Sequence, residues 1–205
     1  MRKIFILCAF LLLSLLIICS ESGIIVNIKG DIYVSGIDNP VKGTIVSPGD
    51  TIKSKPGSYA EFIMLNSAFF RIMPFTNLIV ETDFSDEISV VALERGMVFA
   101  ETGENTFIFE TPQGIVRTGN AVLSIALEDS VCRIYCMEGE LSAANNEGEA
   151  NASEGEVIEL YQGRMPIKVL DMIPETDVLE NDYDTVEIEF EDESGNIRIL
   201  EILIE

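Results

Sequence analysis

The chain predicts an all-β protein of many short strands, either a β-solenoid with uneven rungs or a sandwich-like domain, with a C-terminal β-hairpin appended. Three observations carry this. Apolar and polar residues alternate over short runs, the period of a half-buried strand, and glycine, proline or asparagine interrupts nearly every run. After residue 23 no stretch holds a 3.6-residue apolar period for three turns, which leaves no place for a long helix. A glycine followed closely by an apolar residue recurs at Gly30-Asp31-Ile32, Gly49-Asp50-Thr51-Ile52, Gly96-Met97-Val98, Gly139-Glu140-Leu141 and Gly155-Glu156-Val157. The spacings of 19, 47, 43 and 16 residues are too uneven for a strict repeat array.

Taken in order, Ile24 to Ile28 and Ile32 to Ser35 flank the turn Lys29-Gly30-Asp31 and predict a hairpin or two consecutive strands. Gly36 and Asn39-Pro40 end that unit, and Gly43 to Val46 leads onward. Pro48-Gly49-Asp50 forms a tight turn, because proline presets φ and glycine accepts a positive one; Thr51 to Ser54 leaves it extended. Pro56-Gly57-Ser58 forms the next turn. Beyond it Ala60, Phe62 and Met64 share one strand face, Ala68, Phe70 and Ile72 repeat the pattern after Asn66-Ser67, and Leu78 and Val80 follow the break at Pro74. Ile88 to Leu93 and Met97 to Ala100 are expected as two strands separated by Glu94-Arg95-Gly96. Thr106 to Glu110, Ala121 to Leu127, Val131 to Met137 and Glu156 to Tyr161 continue the rhythm, while Ala143 to Gly155, small and polar, is expected as a surface excursion.

The two ends differ from this middle. Arg2 and Lys3 precede the apolar run Ile4 to Ile18, which is shorter than the roughly 20 residues a spanning helix needs, so residues 1–22 predict a signal peptide and export. Leu16-Ile17-Ile18-Cys19 resembles a bacterial lipoprotein cleavage box, although Ile18 stands where a small residue is usual; it implies lipidation of Cys19. Cleavage after Ser20-Glu21-Ser22 and a retained anchor are the alternatives. Residues 23–163 are expected as the β-domain and 164–205 as an acidic segment. In the latter, Val186-Glu187-Ile188-Glu189-Phe190 alternates, Ser194-Gly195 turns, and Ile197 to Ile204 returns strongly apolar on both faces. Such a strand should be covered, by the chain's own β-domain or by a partner.

Composition closes several classes of function. A net charge of −22 repels nucleic-acid phosphates and anionic lipid head groups, which argues against a nucleic-acid partner, while 47% hydrophobic residues argue against disorder. The absence of histidine removes the commonest general base, the commonest zinc ligand and the usual triads together. No spacing singles out a pair among the 35 acidic residues, so no catalytic residue is expected, and no phosphate loop or other motif calls for a cofactor. Asn181-Asp182-Tyr183-Asp184 offers clustered oxygens for calcium but lacks the order of a calcium loop and reads as an acidic turn, so no metal site is expected. Cys132 and Cys136, about 13 Å apart along one strand face, lie too far apart for a disulfide and are expected as packed free thiols. Tyr33, Tyr59, Phe69 and Phe75 are the candidates for an exposed contact patch.

The order Gly49-Asp50-x-Ile52-x-Ser54, Ser58-x-Ala60-x-Phe62, Asn66-Ser67 and Ile72-x-Pro74-x-Thr76-x-Leu78 resembles the FecR-like domain of bacterial envelope proteins, as does Thr111-Pro112-Gln113-Gly114 followed by Gly119 and a strand. The resemblance runs from about Ile24 to Tyr161. It departs from the family at Asn66-Ser67-Ala68, where an acidic-Gly-Ser turn is usual, and at Gly119-Asn120. Family members with a cytoplasmic region regulate sigma factors. Here only Met1, Arg2 and Lys3 precede the apolar run, too few for that role, so the resemblance implies the exported half alone. The expected function is a non-enzymatic, lipid-anchored binding or scaffold module of the periplasm or cell surface, with an envelope protein or glycan as its ligand. A periplasmic signalling component with a separate transmembrane partner, and an enzyme using paired carboxylates, are the other two readings.

Overall fold

A computed structural model describes residues 23–64, 68–82 and 88–169, together with the backbone of two further strands, Val186–Glu191 and Ile197–Ile202. The protein is all-β, a large mixed sheet of many short strands that is not closed into a barrel. In chain order the strands are β1 (Gly23–Lys29), β2 (Ile32–Val34), β3 (Ile37–Asp38), β4 (Ile45–Val46), β5 (Thr51–Ser54), β6 (Tyr59–Met64), β7 (Phe69–Ile72), β8 (Asn77–Val80) and β9 (Ile88–Glu101). They continue with β10 (Thr106–Thr111), β11 (Gly114–Thr118), β12 (Val122–Glu128), β13 (Val131–Glu138), β14 (Glu140–Asn145), β15 (Gly148–Ser153), β16 (Val157–Tyr161) and β17 (Arg164–Val169).

Pairing sorts these strands into two layers. The first runs β4-β1-β6-β7-β9-β12-β13-β16-β17. The second runs β3-β2-β5-β8-β9-β10-β11-β14-β15. The chain changes layer after every one or two strands, so neither layer forms without the other. β1 and β2 therefore do not make a hairpin: the Gly30 turn carries the chain from one layer to the other, and each strand finds partners from later in the sequence.

The inward residues of the two layers make one core. Ala60, Phe62, Met64, Phe70, Ile72, Leu78 and Val80, the alternating set of the sequence, are fully buried. Phe62 and Phe70, register partners on β6 and β7, stack at 5.1 Å, and Phe70 meets Phe107 and Phe109 of the opposite layer at 5.8 and 6.0 Å. Rings in such offset and tilted contacts add roughly 0.5 to 1.5 kcal/mol per pair beyond the area they bury.

Two sequence expectations are corrected. Glu94-Arg95-Gly96 does not end a strand: β9 is continuous over 14 residues, its first half in the second layer and its second half in the first. The chain turns the corner at Gly96, whose φ is +90°, and a Cβ there would stand 2.5 Å from Thr76 Cα. The segment Ala143 to Gly155 is no surface excursion but the β14–β15 hairpin, with Leu141, Ala143 and Ala152 buried. Alanines supply little hydrophobic signal, yet Ala143 and Ala152 are 0% and 1% exposed.

Where the chain leaves a ladder, buried threonine hydroxyls replace the missing backbone partners. Thr76 Oγ1 accepts from the Met97 N–H at 3.0 Å and donates to the Met97 carbonyl at 2.9 Å. Thr102 Oγ1 serves Ala121 in the same way, both bonds at 3.1 Å.

The C-terminal hairpin is considered by itself. β18 (Val186–Glu191) and β19 (Ile197–Ile202) pair antiparallel, Val186 opposite Ile202 and Ile188 opposite Leu200, as the alternation predicts. The side chains that the coverage expectation concerns lie outside the described residues, as do Asn66-Ser67, Cys19 and Asn181 to Asp184.

Candidate interaction surface

Outward residues of a sheet normally face water, so a buried one needs an explanation. Across the first layer the outward row is Asn27, Glu61, Arg71, Phe99, Ser124, Tyr135 and Val157. Glu61 has a side chain only 3% exposed, and both the Nε and Nη2 atoms of Arg71 reach its Oε1 at 2.6 Å. Its Oε2 and the Ser124 hydroxyl are buried and have no hydrogen-bond partner among the described residues. The next row is Ile24, Ile63, Phe69, Glu101 and Val122, all apolar except the exposed Glu101, and Phe69 meets Phe99 edge-on at 6.4 Å. The result is a half-buried apolar and aromatic face with one ion pair sunk into it.

Further along the same face, Arg133 Nε bonds Glu159 Oε1 at 2.9 Å and its Nη1 bonds Glu128 at 2.7 Å, while the Tyr161 hydroxyl donates to Glu159 Oε2 at 2.6 Å. The Tyr161 hydroxyl and then the Arg133 guanidinium hold the Glu159 carboxyl below the usual carboxylate range. The same bond pushes the Tyr161 phenol up. Every charge here has a partner, which suits a fixed surface rather than proton transfer.

At one end of the layers three turns enclose a concavity of about 450 Å³ lined by Gln113, Asn145, Asn146, Glu147 and Gln162. Two of its polar groups hold the turns together: Asn145 Nδ2 donates to the Tyr161 and Arg164 carbonyls at 2.9 and 2.7 Å, and Gln162 Nε2 to the Pro112 carbonyl at 3.0 Å; Gln113 Oε1 is buried with no hydrogen-bond partner among the described residues. Among the described residues no three acidic or sulfur side chains converge as metal ligands.

The aromatic candidates do not gather. Tyr59 and Phe69 lie on the first layer, Tyr33 on the second, and Phe75, with φ +62°, is exposed at a turn. Of the four, Phe69 and Tyr59 belong to the face above, Tyr59 alternating with Glu61 and Ile63 on β6 and accepting from Asn27 Nδ2 at 3.5 Å. Cys132 and Cys136 are free and buried on β13, and burial pushes their thiols up to about 12 and about 11. Neutral at ordinary pH, they are packing groups and not nucleophiles. The Glu61–Arg71 pair was missed, because a single glutamate among apolar neighbours reads as solvated. One signal was available: the two residues are equidistant from Asn66, so a hairpin turning there sets them opposite one another.

The fold is a two-layer all-β module whose first layer carries a half-buried apolar outward face. No protein-family model and no curated protein matches the chain. Two crystal structures of a proposed anti-sigma factor from Parabacteroides distasonis ATCC 8503 are similar to it, with TM-scores of 0.53 and 0.52 at 18% and 17% identity. Each match covers 58% of this chain and 58% of the other, so the chain spans less than two thirds of the length of those proteins. The likeness is one of fold.

Proposed function

We propose that this chain is an exported, FecR-like module of the bacterial envelope, tethered through a lipidated Cys19, that binds a protein or glycan and performs no chemistry of its own. The observation that carries the reading is the outward face of the first layer. Half-buried Ile63, Phe69 and Phe99 flank an ion pair in which a carboxylate oxygen has no hydrogen-bond partner among the described residues, and Tyr135 continues the same row. Aromatic residues around a sunken charge are the composition of contact surfaces. The leader and the order of the small motifs support the envelope setting.

A second reading has an observation in its favour. The neighbours of similar fold are described as a proposed anti-sigma factor, which supports a signalling component acting with a separate transmembrane partner.

Photo-crosslinking residues at Tyr135 and, as a control on the other layer, at Arg117 test both readings in cells. Crosslinks formed at Tyr135 and not at Arg117 are expected; a membrane-spanning protein as the product favours signalling, and a glycan or soluble protein favours the scaffold. Equal yields from the two positions would overturn the assignment of the face. Labelled fatty acid should enter the wild type and not Cys19→Ala, and absence of label from both would remove the lipid tether.

A further inference from the structure

Exposed aliphatic side chains are not scattered evenly over this molecule. Ile24 (43% exposed), Ile37 (43%), Val41 (68%) and Ile45 (60%) all lie on or beside β3 and β4, the edge strands of the two layers, Ile24 and Ile45 on the outward face of the first layer and Ile37 at the edge of the second, opposite Val34. Ile24 and Ile45 are register partners, so they lie side by side on the outward face. The loop between β3 and β4 carries Val41 across the corner, and it is held: Pro40 is buried, Asn39 adopts φ +59°, and the Val41 N–H donates to Thr44 Oγ1 at 3.0 Å. The Gly43 N–H donates to the Ile25 carbonyl at 2.8 Å, which ties the loop to the first strand. A fixed loop that turns proline inward and valine outward presents apolar surface to something.

The position of the corner in the chain identifies that surface. β1 starts at Gly23, beside Ile24, and only Ser20, Glu21 and Ser22 separate Gly23 from Cys19. Four residues at full extension span about 14 Å. With Cys19 acylated, Gly23 therefore cannot lie further than that from the lipidated residue, and with the apolar run Ile4 to Ile18 retained as an anchor the limit is one residue longer, about 18 Å.

Resting on the tethered reading above, we propose that the Ile24–Ile37–Val41–Ile45 corner contacts the membrane, inserting its aliphatic side chains among the lipids and fixing the orientation of the domain on the bilayer. The lipid surface it suits is electrically neutral. With a net charge of −22 the chain is repelled by anionic head groups, and the exposed charges at the corner, Asp38 and Lys42, cancel. Apolar insertion into the boundary between head groups and acyl chains provides the contact.

The chain contains no tryptophan, so one introduced indole reports from a single place. The full chain, purified from membranes of an expressing bacterium, is reconstituted with phosphatidylcholine vesicles carrying brominated acyl chains. Val41→Trp serves as reporter and Glu147→Trp, in the turn between β14 and β15, as control. Expected are a blue shift and loss of emission from Val41→Trp, none from Glu147→Trp, and recovery of the Val41→Trp emission when Ile45→Glu is added while the protein still sediments with the vesicles. All three positions are exposed or in a turn, so folding is unaffected. Vesicle-bound protein with no quenching at Val41→Trp, with equal quenching at both positions, or with quenching that survives Ile45→Glu would overturn the contact and leave the tether standing. Protein that does not sediment with vesicles at all would remove the tether and the contact together.

Discussion

Glu61 shows how much one side chain depends on its cross-strand neighbour. Its carboxylate is sunk in an apolar face with Arg71 as its charged partner, and removing one member of a buried pair leaves the other desolvated and uncompensated. Arg71→Ala should cost about 3 kcal/mol in urea unfolding, whereas Glu61→Leu combined with Arg71→Leu should cost much less, because a well-packed apolar pair replaces the ionic one. Glycine corners respond to a different force. Gly49 and Gly96 have nearly equal angles, φ +88° and +90°, but a Cβ at Gly49 meets nothing within 4 Å while at Gly96 it would collide with Thr76. Both substitutions to alanine strain the backbone by about 1 to 3 kcal/mol, and Gly96→Ala should lower the melting temperature well beyond Gly49→Ala. For Glu159 the depressed carboxyl sets the sign of a pH effect. Its bonds to Tyr161 and Arg133 stabilise the fold fully above the unfolded value of about 4.3 and are lost as pH falls through the lower folded value. Glu159→Gln should therefore show a shallower loss of stability below about pH 4 in acid titrations followed by circular dichroism.

Among elements, the edges are where short strands need protection. β17 closes the first layer with Pro166, beside the irregularity between Glu159 and Tyr161, and a proline at an edge removes a donor that could pair with another chain. The C-terminal hairpin has no such device in its return strand, where Ile197, Ile199, Leu200 and Ile202 follow almost without interruption. A strand apolar on both faces predicts cover. Burying three of these side chains would contribute roughly 1.5 to 3 kcal/mol each before ordering costs, so deletion of residues 185–205 should lower the melting temperature if the chain itself covers them. An unchanged melting temperature with loss of binding to envelope extract would assign the hairpin to a partner.

At the scale of the molecule, the alternation of layers makes folding cooperative. β9 joins both layers and its two halves pair with strands from the first and the second part of the chain alike, so separating the layers exposes the whole core. Cys132 and Cys136 report on that event, since both lie inside and their thiols stay protonated until about pH 12 and 11. Iodoacetamide at neutral pH should leave them unmodified until denaturant crosses the unfolding transition. Modification in native buffer would mean that the layers open separately.

The alternation of Ala60, Phe62, Met64, Phe70 and Ile72, the glycine and proline turns and the absence of a helical period determined the fold class, because strand period and turn chemistry are local properties. The C-terminal hairpin was legible for the same reason. Tertiary structure alone decided which strands pair, since β1 takes its partners from β4 and β6 and passes over β2, and no local rule assigns a strand to a layer. It also decided that Gly96 is a corner within one strand and that the alanine-rich segment is a core hairpin, through the close approach of Gly96 to Thr76 and the burial of Ala143 and Ala152. The candidate face was hidden in the sequence for a related reason: whether an outward glutamate is solvated or sunk depends on the residues that long-range register places beside it.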